Sequence, residues 1–358
     1  MSLGITYFLF SYFAILLSFY GLSNSLVRGN TRVIFYLISF AFLNGLRLLG
    51  QQLFEDIANY RELYYSVDLL WNAPFYDTSN LEGITTDIGY VFINAVFRSL
   101  TFSYEAYLFV IFTVQTAIFY RFSKAFGIAP VVSFSIYVAL FLMTFQIGML
   151  RQALAFCFLL VALEFLDRKR IFTVLILVGS TFHLSAMICL LLIWTDKKVN
   201  VNWFYLSFLV SIILYLMQVN VLEQLIPSIE HFSALSRVLF YLEVDRANNF
   251  LGMGFWERVI SFIAICAIRI DLIKTNRLTA SLGILFNIAA FSIIFQILIA
   301  EEPTIVSRLR LYTQIFPLLF IGHYVFTLLH GRIYWWYRTP FVVYLALYFV
   351  TQSYYFLL

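Results

Sequence analysis

Residues 278–299 read LTASLGILFNIAAFSIIFQILI, a stretch without one charged side chain. As an α-helix rising about 1.5 Å per residue it spans roughly 33 Å, enough to cross the ~30 Å hydrocarbon core of a bilayer. Comparable apolar runs recur near 3–22, 33–46, 104–120, 130–146, 151–166, 171–182, 184–194, 200–219, 255–268, 313–329 and 341–358. Because they run from end to end, a single signal peptide or anchor does not explain them. The 358-residue chain is 62% hydrophobic and only 12% charged, with a mean hydropathy of +0.89. A soluble globular domain carries about 25% charged residues, so that class is excluded. The 41 Phe against 6 Pro and 15 Gly favour long helices over a membrane barrel, which alternates polar and apolar residues in segments of about 10. The expectation is an all-α polytopic membrane protein of about twelve transmembrane helices, forming a single domain over 1–358. Residues 87–100 are expected as a short re-entrant or interfacial helix, joined to the next by the uncharged turn Leu100–Ser103.

The charges then orient the chain. Basic clusters at Arg28/Arg32, Arg121/Lys124, Arg168–Arg170, Lys197/Lys198, Arg269/Lys274/Arg277 and Arg332/Arg338 fall on alternate loops, which the positive-inside rule assigns to the cytoplasm. The run from Ile171 to Trp194 is either one long helix, which would move every later loop to the other side, or a two-helix hairpin turning near Thr181–His183, which satisfies the rule better because basic residues flank both ends. The inner side then holds 14 basic and 4 acidic residues, and the outer side 9 and 15. All five Lys lie inside, so the outer cations are Arg47, Arg61, Arg98, Arg151, Arg237, Arg246, Arg258, Arg308 and Arg310. A guanidinium keeps its charge and grips phosphate or carboxylate with a planar fork. An anionic ligand at the outer face is one reading of these arginines; structural pairing with outer acids is the other. Outer loops are expected at about 47–86, 220–254 and 300–312.

Cys157, Cys189 and Cys266 sit in apolar runs without paired spacing and read as small core residues. No second His has zinc-ligand spacing to His183, so neither a metal nor another cofactor is expected. Asp56, Tyr60 and Tyr64 share one face of a helix, which suits sugar recognition by a carboxylate and aromatic rings, or equally an interfacial tyrosine belt. Glu82 and Asp87 flank the approach to Gly89-Tyr90; each is a candidate base toward an incoming hydroxyl, or a helix cap. Arg151 opens an apolar helix, where a retained cation calls for a partner or ligand unless it snorkels. His183 falls at the proposed break and can titrate or donate to an oxygen anion. Arg237, Tyr241 and Asp245 repeat the i, i+4, i+8 spacing. Glu301 and Glu302 precede Arg308, Arg310 and Tyr312, either a self-neutralising lid or a diphosphate grip with an acid beside it.

The order Arg47, Asp56-x3-Tyr60-x3-Tyr64, Asp87-Ile88-Gly89-Tyr90, Leu150-Arg151-Gln152, Phe182-His183-Leu184-Ser185 and Arg308-x-Arg310-x-Tyr312 resembles the EpsG-like, Wzy-type bacterial polysaccharide polymerases over most of the chain. The resemblance implies a glycosyltransferase of the bacterial inner membrane, with a fold related to the GT-C type. Such an enzyme joins undecaprenyl-diphosphate-linked repeat units at the periplasmic face. Donor and acceptor are both lipid-linked glycans, with no nucleotide sugar and no nucleic acid involved. A flippase and a chain-length regulator are the protein partners such a system offers. The implied roles place Arg151, Arg308 and Arg310 on the diphosphate and give the acceptor proton to Asp87, Glu82 or His183. Arg47, Asp56, Tyr60, Arg237, Tyr241 and Tyr312 complete the expected substrate contacts. The competing classes are a flippase or transporter of the same lipids, which should show inverted repeats or broken helices in matching halves, and another membrane transferase such as a glycan ligase.

Overall fold

The computed structural model describes residues 55–70, 87–129, 132–133, 136–137, 149–196, 199–219, 253–300, 309, 311–328, 341 and 343–344. Every regular element among them is helical: α1 Glu55–Ser66, α2 Ile88–Ser99, α3 Tyr104–Ala125, α4 Leu150–Leu163, α5 Lys169–Phe182, a 3₁₀ helix Leu184–Trp194, α6 Val201–Leu216, α7 Met253–Lys274, α8 Ala280–Leu298, α9 Ile315–His323 and a π-helical turn Tyr324–Leu328. Among the described residues, α3 and α8 are long and apolar enough to cross a membrane. The chain divides into two compact units, Met1–Leu190 with Val325–Leu358, and Leu191–Tyr324.

In the first unit, α2 covers the helix expected over 87–100, and α3 follows it. The α2 helix ends with Phe102 N–H bonded to the Phe97 carbonyl and Thr101 N–H to that of Arg98, a Schellman motif that puts Thr101 at φ +61°. Tyr64 on α1 holds this turn by donating its hydroxyl to the Phe102 carbonyl at 2.8 Å. Ser103 caps α3 through the Ala106 amide, and α3 ends in a second Schellman motif at Gly127, φ +69°. Arg61 pairs with Glu105 at the first turn of α3, and Arg121 pairs with Glu164 near its last turn.

Helices α4 and α5 pack closely because Gly179 lacks a side chain. A Cβ there would lie 2.9 Å from Phe158 Cβ and 3.3 Å from the Ala155 carbonyl oxygen. The Phe158 and Phe182 rings stack beside this contact. Helix α5 stops at Phe182, His183 is extended, and the chain resumes as a 3₁₀ helix at Leu184. The run from Ile171 to Trp194 is therefore not one continuous α-helix, and the break falls where the charge pattern asked for it.

The second unit is built around α8, which packs against α6, α7 and α9. Thr279 caps α8 through the Leu282 amide, and Asn287 donates to the Thr195 and Asp196 carbonyls, tying the chain after the 3₁₀ helix to the core. Phe208 of α6 stacks on Phe262 of α7 with centroids 3.7 Å apart. Across both units the exposed surface carries apolar rows at helical spacing: Ile171, Val174 and Val178 on α5; Leu206, Leu209 and Ile213 on α6; Ile263 and Ile270 on α7. Water would penalise such rows and lipid does not. Trp194, Trp203 and Trp256 are exposed near helix ends, as interfacial anchors are. The protein is a helical membrane protein.

Candidate functional site

Asp87 and Arg151 stand 64 positions apart and meet in the first unit. Asp87 occupies the N-cap position of α2, where an aspartate ordinarily accepts from a first-turn amide. Its side chain makes no such bond. The backbone carbonyl of Asp87 accepts from the Tyr90 and Val91 amides, while the carboxylate turns to Arg151 and accepts from Nη1 at 2.6 Å. The carboxylate's role as a cap, open from sequence, is thus not the one adopted. Arg151 is the second residue of α4. A cation in a helix's first turn opposes the positive end of the macrodipole, so an anion beside it neutralises guanidinium and helix end together. The pair is partly sheltered, with side-chain exposures of 23% for Arg151 and 13% for Asp87.

Tyr60 completes the group from α1. Its ring centroid lies 5.9 Å from the Arg151 guanidinium carbon, and its edge meets Tyr90 with centroids 5.7 Å apart. Residues from α1, α2 and α4 therefore converge, and α5 closes the site from behind. A Cβ on Gly89 would lie 2.3 Å from Thr181 Oγ1 and 3.0 Å from the Thr181 backbone, so only glycine lets α2 approach α5 this closely. His183 follows Thr181 by two residues, and its Nδ1 sits 2.5 Å from the Ser185 hydroxyl oxygen. The motif pairs quoted from sequence, Asp87 to Tyr90 and Phe182 to Ser185, are thus on neighbouring helices.

Tyr64 behaves differently from Tyr60. It is buried, stacked on Tyr107 and bonded to Phe102, so it supports the turn rather than facing a ligand. Burial pushes its hydroxyl up to about 12. Tyr312 is likewise buried, in the core of the second unit. Asp56 lies on α1 one turn before Tyr60, its side chain outside the described residues. Arg47, Glu82, Arg237, Tyr241, Arg308 and Arg310 also lie outside them, as do most of the three outer loops.

Asn94, Glu257, Gln296 and Gln314 escaped the sequence reading. Asn94 follows Tyr90 by one helical turn and is fully buried; neither carboxamide atom finds a partner among the described residues. Its i+4 spacing from Tyr90 and i+7 from Asp87 was the available signal. In the second unit, Glu257 accepts from Gln314 at 2.8 Å and Arg258 donates to Gln296 at 3.2 Å, joining α7 to α8 and to the residue before α9. Of the described arginines expected on the outer face, Arg61 pairs with an acid, Arg98 bonds the Val67 carbonyl, Arg258 meets an amide, and Arg151 pairs with Asp87.

No curated protein and no solved structure matches the chain. A family model described as the EpsG family matches residues 30–357. With that match covering nearly the whole sequence, the chain belongs to the EpsG family, membrane proteins of polysaccharide biosynthesis.

Proposed function

We propose that this protein is a membrane glycosyltransferase that polymerises undecaprenyl-diphosphate-linked oligosaccharide repeat units at the periplasmic face of the inner membrane. The observation that carries the reading is the Asp87–Arg151 pair beside Tyr60, in a chain of the EpsG family. A hydroxyl of the acceptor sugar attacks the anomeric carbon of the donor glycan. The bond from that carbon to the diphosphate oxygen breaks, and its electron pair leaves with undecaprenyl diphosphate. The attacking hydroxyl gives its proton to Asp87.

Arg151 stabilises the charge that grows on the leaving diphosphate, which a preorganised guanidinium does at no cost of reorientation. Tyr60 keeps that guanidinium in place and offers ring and hydroxyl to a sugar. His183 is the alternative proton acceptor, with Glu82 a further one. Arg47 and Asp56 belong to the substrate path in this reading. About twelve crossings and a GT-C-related arrangement complete this reading.

Deleting the gene and analysing surface glycans tests it. Material shortened to one repeat unit, restored to full length by the wild-type gene and not by Arg151→Gln, is the expected result. Loss of even the first repeat unit, or unchanged length, would refute polymerisation.

A further inference from the structure

We propose that the Asp87–Arg151 ion pair is an exchangeable contact: the donor's diphosphate takes Arg151 from Asp87, so the base is freed only when a donor is bound. This deepens the proposed function and rests on its assignment of donor and base. Three observations carry it. The carboxylate occupies Arg151 Nη1 at 2.6 Å, one of the N–H donors a diphosphate oxygen would use. A phosphate and a carboxylate seek the same fork of N–H donors, and the more highly charged diphosphate is the stronger partner.

The second observation is that Asp87 has somewhere to go. It stands at the N-cap of α2 with its side chain uncommitted to any amide of that helix. When displaced, the carboxylate stays beside the first turn of α2, whose amides an N-cap aspartate ordinarily takes. The third is that Arg151 has a second contact besides Asp87. The Tyr60 ring lies 5.9 Å from the guanidinium, a cation–π contact that persists after the carboxylate leaves.

The exchange gives the proposed reaction an order. Without donor, the carboxylate is held on a cation and is a poor proton acceptor. With donor, the C–O bond to be broken is seated on Arg151 and Asp87 is released to take the acceptor's hydroxyl proton. Diphosphate binding therefore has to displace an internal competitor, and apparent affinity is lowered by the fraction of protein held in the paired state.

The experiment measures undecaprenyl diphosphate binding to the full chain purified in lipid nanodiscs, with undecaprenol as the uncharged control. Asp87→Asn and Asp87→Ser remove the competing charge, and both residues remain good N-caps. Both variants are expected to bind undecaprenyl diphosphate about tenfold more tightly than wild type, inside the ~5–150-fold range of ordinary coupling. Undecaprenol binding is expected to be unchanged. In an Arg151→Gln background the same substitutions should have no effect on diphosphate affinity. Yield and thermal unfolding of each variant establish that it is folded. Unchanged or weaker diphosphate binding in both Asp87 variants, folded as wild type, overturns the exchange. If the gain in affinity appears but the deletion strain still extends its glycans, the polymerase reading fails and the exchange stands. If glycans shorten as expected without the gain, the reverse holds.

Discussion

At the scale of single residues, the contact between Asp87 and Arg151 distinguishes a guanidinium from a point charge. Arg151→Lys keeps the positive charge and loses the planar fork, so chain extension should fall by roughly tenfold or more with the protein still in the membrane. Glycan-length analysis of the complemented deletion strain checks this, and wild-type length would remove Arg151 from the chemistry. Tyr64 makes a different kind of prediction. Its hydroxyl is pushed up to about 12 by burial, so the folded protein holds the proton where an unfolded chain, near 10, releases it. The stability Tyr64 contributes is therefore complete below pH 10 and declines as pH rises from 10 toward 12. Tyr64→Phe should flatten that decline in thermal unfolding while costing about 1 kcal/mol at neutral pH through the lost bond to Phe102. An alkaline decline as steep as that of wild type would contradict it.

At the scale of elements, the site depends on how tightly α2 and α4 meet α5. Gly89→Ala places a methyl against the Thr181 backbone, which cannot rotate away as a side chain can. Helix α2 must shift, taking Asp87 off its position, so chain extension is expected to drop along with melting temperature. Extension at the wild-type level would show that the α2–α5 contact does not position Asp87. Thr101 is the converse case. A β-branched residue at φ +61° is strained, and Thr101→Gly should stabilise the α2–α3 turn by about 1 kcal/mol, read as a rise in thermal unfolding temperature. Both elements were visible from sequence as the 87–100 helix and its uncharged turn. Their close contact with α5 was not, because Gly89 resembles any other glycine until Thr181 is brought against it.

At the scale of the whole molecule, the charge pattern makes a topological prediction. In a version lacking its native cysteines, Thr101→Cys should react with a membrane-impermeant thiol reagent from the periplasmic side. Asp167→Cys should react only after the membrane is opened. The swapped result would invert the proposed face of the site, and labelling of both positions from one side would refute the charge-based topology. Membrane character, the break at His183 and the spans matching α3 and α8 were legible in the chain because hydropathy and loop charge are local properties that sum along it. Asp87, Arg151 and Tyr60 were each legible as chemically notable, but not as a group. What only the tertiary structure decided is that Asp87 leaves its own helix's amides for Arg151, that Tyr60 rather than Tyr64 faces the guanidinium, and that Asn94 of α2 is buried. The reason is physical. Partner choice among groups about 30 to 90 positions apart depends on helix packing at separations of a few ångströms, set here by glycines at 89 and 179, and no local pattern along the chain encodes it.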